Sequence, residues 1–280
     1  MEIGTGITFG GGITIMGAPA EGGGGGGSPG NYSTSGLVLN LDAGNTSSFV
    51  SGASVWNDLS GNGYTANVSF NMKNAWVDVG ALTSNAQNYP SSYFDLGYKN
   101  TNRYADIGDT TGLRPTGAIT YEIIGGGQGS LTNRQTYLTI ANGPKLGISE
   151  GGSDGSSGTS YFEFEVNGQT TSNSSPAIYN ATYNNAFWHL IGTYDGTTIR
   201  TYLNGIEVAT ASYSGAITYD DTYKLYVNGY RTDTPTGNPN KGKVFGFINV
   251  VRVYNRALTS TEVSYNYSWA KGTRPGYNLP

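Results

Sequence analysis

Apolar and polar residues alternate in short runs along most of this chain, the period-two signature of strands with one face buried. In LVLNLD (37–42), Leu37, Leu39 and Leu41 share a face. In YFEFEV (161–166), Phe162, Phe164 and Val166 oppose Tyr161, Glu163 and Glu165, and the alternation assigns the two glutamates to a solvated outer face. The segment FWHLIGTYDGTTIRTYLNGIEV (187–208) holds three runs broken at Asp195-Gly196 and Asn204-Gly205. That is the spacing of consecutive antiparallel strands joined by tight turns. Asn167-Gly168 and Asn228-Gly229 supply two further turn dipeptides. The run VFGFINVVRVY (244–254) is almost continuously apolar and predicts a central strand with a bulge near Gly246. One short helix is predicted, from about residue 260 to 270. Thr259-x-x-Glu262 has capping-box spacing, Gly272 and Pro275 stop the helix, and Trp269 is placed to pack back on the sheets.

Composition agrees with that reading. Charged residues make up 12% of the 280, the 22 tyrosines outnumber the 15 Lys plus Arg, and Gly reaches 44, a mixture that favours strands and turns over helices. The net charge of −4 arises before Lys73, where Glu2, Glu21, Asp42 and Asp58 meet no basic residue. Without a basic excess there is no electrostatic footprint for a phosphate backbone, so nucleic acid is not an expected partner. The absence of cysteine excludes disulfides, thiolate metal sites and cysteine nucleophiles. Neither a secretory signal nor a membrane span is expected, because the N-terminus lacks a basic region and its apolar residues are broken by glycine.

The texture of the chain divides it into four parts. Residues 1–20 carry the near-repeat GITFGG and GITIMG, and Ile3, Ile7, Phe9, Ile13 and Ile15 are expected to form an extended anchoring strand that adds to a partner's sheet edge. Residues 21–35 include six consecutive glycines and read as a flexible linker. Residues 36–272 carry the strand pattern, and 273–280 form a C-terminal tail.

Four stretches carry a family resemblance. The run W-H-x-x-x-T-Y-D-G followed by Y-x-N-G, at 188–205, resembles the central hairpin of laminin-G-like, concanavalin-A-like sandwiches. The segments at 36–68 (with LDAGN and WNDLSGNG), 91–97 (SSYFDLG) and 248–263 (INVVRVYNRALTSTEV) are similar to such modules in structural proteins of tailed phages, including phages of cyanobacteria. The resemblance implies an all-β, concanavalin-A-like antiparallel sandwich, or jelly roll, and leaves the strand count between about 98 and 180 open. It also implies a structural protein of the virion surface, in a capsid decoration, fibre or tail. Such a protein is assembled in the host cytoplasm and becomes extracellular on lysis. Its expected partners are other virion proteins, met through residues 1–20, and a host surface glycan, with the protein present as a homo-oligomer or in many copies. The alternatives are a carbohydrate-binding or adhesion module of a cellular surface protein, and a glycoside hydrolase.

Hydrolases of this fold present an E-x-D-x-E series on one strand face. Glu163-x-Glu165 places two carboxylates about 6.6 Å apart at the Cα atoms but lacks the middle one, so no enzymatic activity is expected. His189, the lone histidine, occupies what resembles a packing position, with no nucleophile nearby. No cofactor is required. Laminin-G and lectin relatives bind calcium through loop carboxylates, which makes Asp95, Asp106 and Asp109 the candidate ligands for that ion. Tyrosines crowd the run SYSGAITYDDTYKLYVNGY, and Tyr219, Tyr223, Tyr226 and Tyr230 are the candidate sugar-stacking residues.

Overall fold

The alternating runs become strands, and the Asn-Gly pairs at 167–168 and 204–205 become turns between them, whereas Gly229 of the third pair lies outside the described residues. The computed structural model of the protein describes residues 8–9, 13–14, 31–77, 93–97, 103–108, 110–127, 135–140, 143–149, 160–171, 177–178, 186–219, 224–228 and 246–273. In chain order these give β1 (Thr8–Phe9), β2 (Ile13–Thr14), β3 (Leu37–Asp42), β4 (Val55–Asn57), β5 (Thr65–Val68), the one-turn helix α1 (Phe70–Lys73), β6 (Trp76–Val77), β7 (Tyr93–Gly97) and β8 (Ala105–Ile107). A 3-10 turn at Thr111–Leu113 leads to β9 (Ile119–Gly127), β10 (Gln135–Ile140), β11 (Lys145–Ser149), β12 (Ser160–Val166), β13 (Gln169–Thr170) and β14 (Ala177–Ile178). Then follow β15 (Ala186–Tyr194), β16 (Thr198–Leu203), β17 (Ile206–Ser212), β18 (Leu225–Val227), β19 (Gly246–Tyr254) and the helix α2 (Ser260–Thr273).

Two antiparallel sheets form the sandwich. The nine-stranded sheet runs β13-β12-β11-β10-β18-β8-β5-β4, with β14 also on β12. The eight-stranded sheet runs β17-β16-β15-β9-β19-β7-β6, and β3 shares the flank of β19 with β7. Alternate side chains from both inner faces meet in one core, with Trp188, Leu190 and Ile123 from the eight-stranded sheet facing Phe162, Phe164 and Leu146 from the nine-stranded one. Close approach of the sheets needs Gly192, because a Cβ there would overlap the Phe164 ring.

The turn chemistry is local. Asn167 and Asn204 sit at φ +49° and +52°, each followed by a glycine at positive φ, so both Asn-Gly pairs form two-residue hairpins of the kind that match strand twist. The third expected turn is wider. Asp195 accepts the N–H groups of Thr197 and Thr198 at 2.9 and 2.8 Å, which folds the three residues between β15 and β16 around Gly196 at φ +96°.

β9 and β19 are buried along their whole length, which accounts for the almost continuously apolar character of 246–254. One face of each meets the core, and the other lies under α2. Ala270 packs with Ile124, Phe247 and Val250, and Val263 packs with Ile191, Tyr202 and Tyr254. The pairing of β19 shifts register between Gly246 and Phe247, where the bulge was expected, and again between Ile248 and Val250. At the start of α2 the Thr259 N–H donates to Glu262 Oε2 at 2.9 Å and the Glu262 N–H donates to Thr259 Oγ1 at 3.3 Å, completing the capping box. The helix continues to Thr273, past its expected end, and α1 has no counterpart in the sequence reading. In the N-terminal part, Thr8 pairs with Thr14 and Phe9 with Ile13 in a two-stranded hairpin, whereas Ile3, Ile7 and Ile15 lie outside the described residues. Among the described residues no helix is long and apolar enough to cross a membrane.

Candidate ligand-binding face

Strand register lines up one polar row across the outer face of the nine-stranded sheet. It passes from Asn67 (β5) through Asp106 (β8), Tyr226 (β18), Thr139 (β10) and Lys145 (β11) to Glu165 (β12), each the Cα partner of the next. The two ends of the row differ. At the β12 end Lys145 holds Glu165 at 2.7 Å and the Thr170 hydroxyl donates to Glu163 at 3.0 Å. Glu163 and Glu165 are only 3% and 7% exposed, so the solvated outer face expected for them is corrected. Their burial is tolerable because a counter-ion and hydroxyl donors replace water.

The β18–β8–β5 end is open. Asn67 is exposed, Tyr226 and Tyr104 are half-buried, and Lys224 keeps 45% of its side chain in solvent while its Nζ lies 2.7 Å from Asp106 Oδ1. The bond from Asp106 raises the Lys224 pKa and keeps the ammonium charged, with two of its three donors left over from that pairing. Tyr104 precedes β8 on the same face as Asp106, and its ring meets the Tyr226 ring edge-on at 6.3 Å. Its position is fixed through the backbone, since the Tyr104 N–H donates to Ser69 Oγ at 3.0 Å and its carbonyl accepts the Ser69 N–H at 2.9 Å. The result is a pair of phenol rings beside an exposed amide, a buried carboxylate and a partly exposed ammonium.

The other sequence candidates divide differently. Tyr219 is not part of this group: its hydroxyl donates to the Pro115 carbonyl at 2.8 Å, its ring packs against the core, and burial pushes its phenol up. Tyr223 and Tyr230 lie outside the described residues, as does Asp109. Asp106 is a strand residue rather than a loop residue. Asp95 stands on β7 in the opposite sheet, where Arg103 lies 3.4 Å from its carboxylate. The structure therefore does not gather the aspartates it describes, and among the described residues no group of three His, Asp or Glu is placed to hold a metal ion.

A second polar cluster lies on the outer face of the eight-stranded sheet, beneath α2. Glu122 (β9) is fully buried, and its carboxylate accepts four donors. Oε1 receives Arg252 Nη1 (2.7 Å) and His189 Nε2 (2.9 Å), and Oε2 receives Asn266 Nδ2 (2.7 Å) and the Tyr254 hydroxyl (3.0 Å). An ionised carboxylate offers about four lone-pair sites, so this one is saturated. Burial alone would raise its pKa, but the Arg252 charge and the His189 hydrogen bond outweigh burial and hold the carboxyl at about 2. His189 thus does more than fill space, although it is enclosed and its side-chain hydrogen bond goes to Glu122. Sequence reading missed this node. The signal was present in ITYEII and NVVRVY, where a single charge interrupts an apolar strand, and β9 and β19 pair Glu122 directly with Arg252.

Fold and family agree. The chain belongs to the concanavalin A-like lectin/glucanases superfamily, whose laminin G model matches residues 99–264. Among solved structures it is similar to a Trypanosoma rangeli sialidase in complex with 2,3-difluorosialic acid (TM-score 0.52, 16% identity, 86% of this chain and 34% of that one). It is also similar to domain 4 of AbnA, an extracellular arabinanase from Geobacillus stearothermophilus, in complex with arabinotriose (0.51, 13%, 83% and 98%). A third is the binding domain of botulinum neurotoxin serotype D/C (0.55, 14%, 83% and 51%). The chain thus spans about a third of the sialidase and half of the toxin domain. No curated protein matches by sequence.

Proposed function

We propose that this domain binds glycans through the open end of the nine-stranded sheet's outer face. The observation that carries the reading is the placement of Tyr104 and Tyr226 beside Asn67 and the Asp106–Lys224 pair. Aromatic faces pack against the CH faces of a sugar, while amide, carboxylate and ammonium groups orient its hydroxyls. Membership of a lectin/glucanase superfamily and the likeness to a domain crystallised with arabinotriose support the same reading. The reading invokes neither catalysis nor calcium; Glu163 and Glu165 meet Thr170 and Lys145, and Asp95 and Asp106 lie beside Arg103 and Lys224. In a glycan-binding assay, Tyr226→Ala weakens affinity about tenfold or more with unchanged melting temperature. A variant that binds every glycan as the wild type does would remove this face from the reading.

The wider role proposed is that of a surface component of a tailed-phage virion, held by residues 1–20 and displaying the sandwich in many copies. The phage-like stretches at 36–68, 91–97 and 248–263 and the glycine-rich leader support it. Mass spectrometry of purified particles finds the intact chain in the virion; a chain confined to the infected-cell lysate points instead to an adhesion module of a cellular surface protein.

A further inference from the structure

Residues 31–36 cross the outer face of the eight-stranded sheet as a strap before β3 begins; the Gly36 carbonyl accepts the Asn255 N–H at 2.8 Å, and several of the other bonds lead to α2 or the groups around Glu122. The Ser33 N–H donates to Asn266 Oδ1 at 2.7 Å, and the Ser33 hydroxyl donates to Glu262 at 3.1 Å. Asn266 in turn holds Glu122 through its amide nitrogen, so one side chain joins strap, helix and node. The Ser35 carbonyl accepts Arg256 Nε at 2.9 Å, and Arg256 pairs with Glu262 on α2. The Tyr32 hydroxyl accepts from Asn40, whose own carbonyl oxygen receives Arg252 Nε at 3.1 Å.

A further link is a corner made by two aromatic rings. The Arg252 guanidinium lies 3.9 Å from the centre of the Tyr32 ring and 4.3 Å from that of the Trp269 ring, and the two rings meet edge-on at 5.0 Å. One ring comes from the strap and the other from the helix, and both face a fully buried cation whose Nη2 has no hydrogen-bond partner among the described residues. Such a cation gains from the ring faces what it lacks in hydrogen bonds. Losing either ring opens the guanidinium to water and removes part of the surface on which the other ring rests.

We propose that the strap and α2 close as one buckle over Glu122, each docking fully only when the other is in place. Because the leader runs directly into the strap, the buckle also fixes where the leader leaves the domain: beside α2, on the face opposite Tyr104 and Tyr226. Coupling of this kind is reciprocal, so the factor by which the docked strap protects the helix equals the factor by which the docked helix protects the strap.

Hydrogen–deuterium exchange on the full chain tests the proposal. Tyr32→Ala speeds exchange of α2 amides such as Val263 and Asn266 about tenfold, and Trp269→Ala speeds the Ser33 and Leu37 amides by a similar factor. In both variants the β15–β16 amides keep wild-type rates, which separates opening of the buckle from loss of global stability. Tyr32→Phe keeps the ring over Arg252 and returns α2 to near wild-type exchange. The proposal is overturned if each substitution speeds exchange only within its own element. Should Trp269→Ala fail to fold, Tyr32→Ala decides alone, because unchanged α2 exchange in that variant is incompatible with a shared closure.

Discussion

Glu122→Ala lowers the unfolding free energy by about 3–5 kcal/mol, read as a reduced urea midpoint at neutral pH. The loss follows from what remains behind. Arg252 stays fully buried without its counter-ion, and His189, Tyr254 and Asn266 each lose an acceptor. The double variant Glu122→Leu with Arg252→Met recovers a large share of the loss, because neither member of the buried ion pair is then left without its partner. A single-variant loss below about 1 kcal/mol would mean that water reaches Arg252 and that the node is less enclosed than its geometry indicates. Acid exposes the same node from another side. Glu122 is held at about 2 in the folded protein against an ordinary 4.5, so an unfolded chain takes up that proton first as the pH falls. The stabilisation is full above about pH 4.5 and is lost as the pH drops through about 2. Glu262, also held at about 2 beside Arg256, titrates in the same window, so Glu122→Ala flattens the acid slope without abolishing it.

Trp188→Ala costs about 3–5 kcal/mol, whereas His189→Ala, one residue on, costs about 1–3 kcal/mol. The difference comes from the strand's alternation. Trp188 points inward, fully buried, with Phe162 edge-on at 5.2 Å and Tyr137 at 6.4 Å, and its removal leaves a large cavity between the sheets. His189 points outward beneath α2, and removing it takes one of four donors from Glu122. Paired thermal melts of the two variants check the order, and a larger loss for His189→Ala would show the outer node to be worth more than this part of the core.

Much of the fold was legible because its signals are local. Alternation over Leu39 and Leu41 and in YFEFEV, two of the Asn-Gly turns, the capping box at Thr259 and the bulge near Gly246 each depend on a few adjacent residues. Leu37 does not share the face expected for it, because the pairing of β3 with β19 shifts register there and Leu37 packs with Tyr254 and Val263 instead. The polar sites were less legible because they are assembled by register. Nothing local to Glu163 or Glu165 says that Lys145 and Thr170 will stand beside them on neighbouring strands. Tyr219 and Tyr226 lie seven residues apart in one tyrosine-rich run, yet one closes the core and the other faces outward. Tyr104, whose ring meets that of Tyr226, is separated from it by more than a hundred residues. Glu122, Arg252 and Asn266 likewise come from three distant segments, and only the charges embedded in apolar strands hinted at them.

The pairing of β3 with β19 sets a timetable for synthesis. β3 is among the first strands to leave the ribosome, but among the described residues its only strand partner is β19, and Ser33 waits for Asn266, 233 positions later. Until β19 and α2 emerge, the nascent chain carries an apolar strand with one edge open, the other being met by the nearby Asp58 and Leu59, and an open edge is the condition in which aggregation competes with folding. The glycines and polar residues on either side of LVLNLD keep that waiting strand short, and so limit what it can join before its own partner arrives.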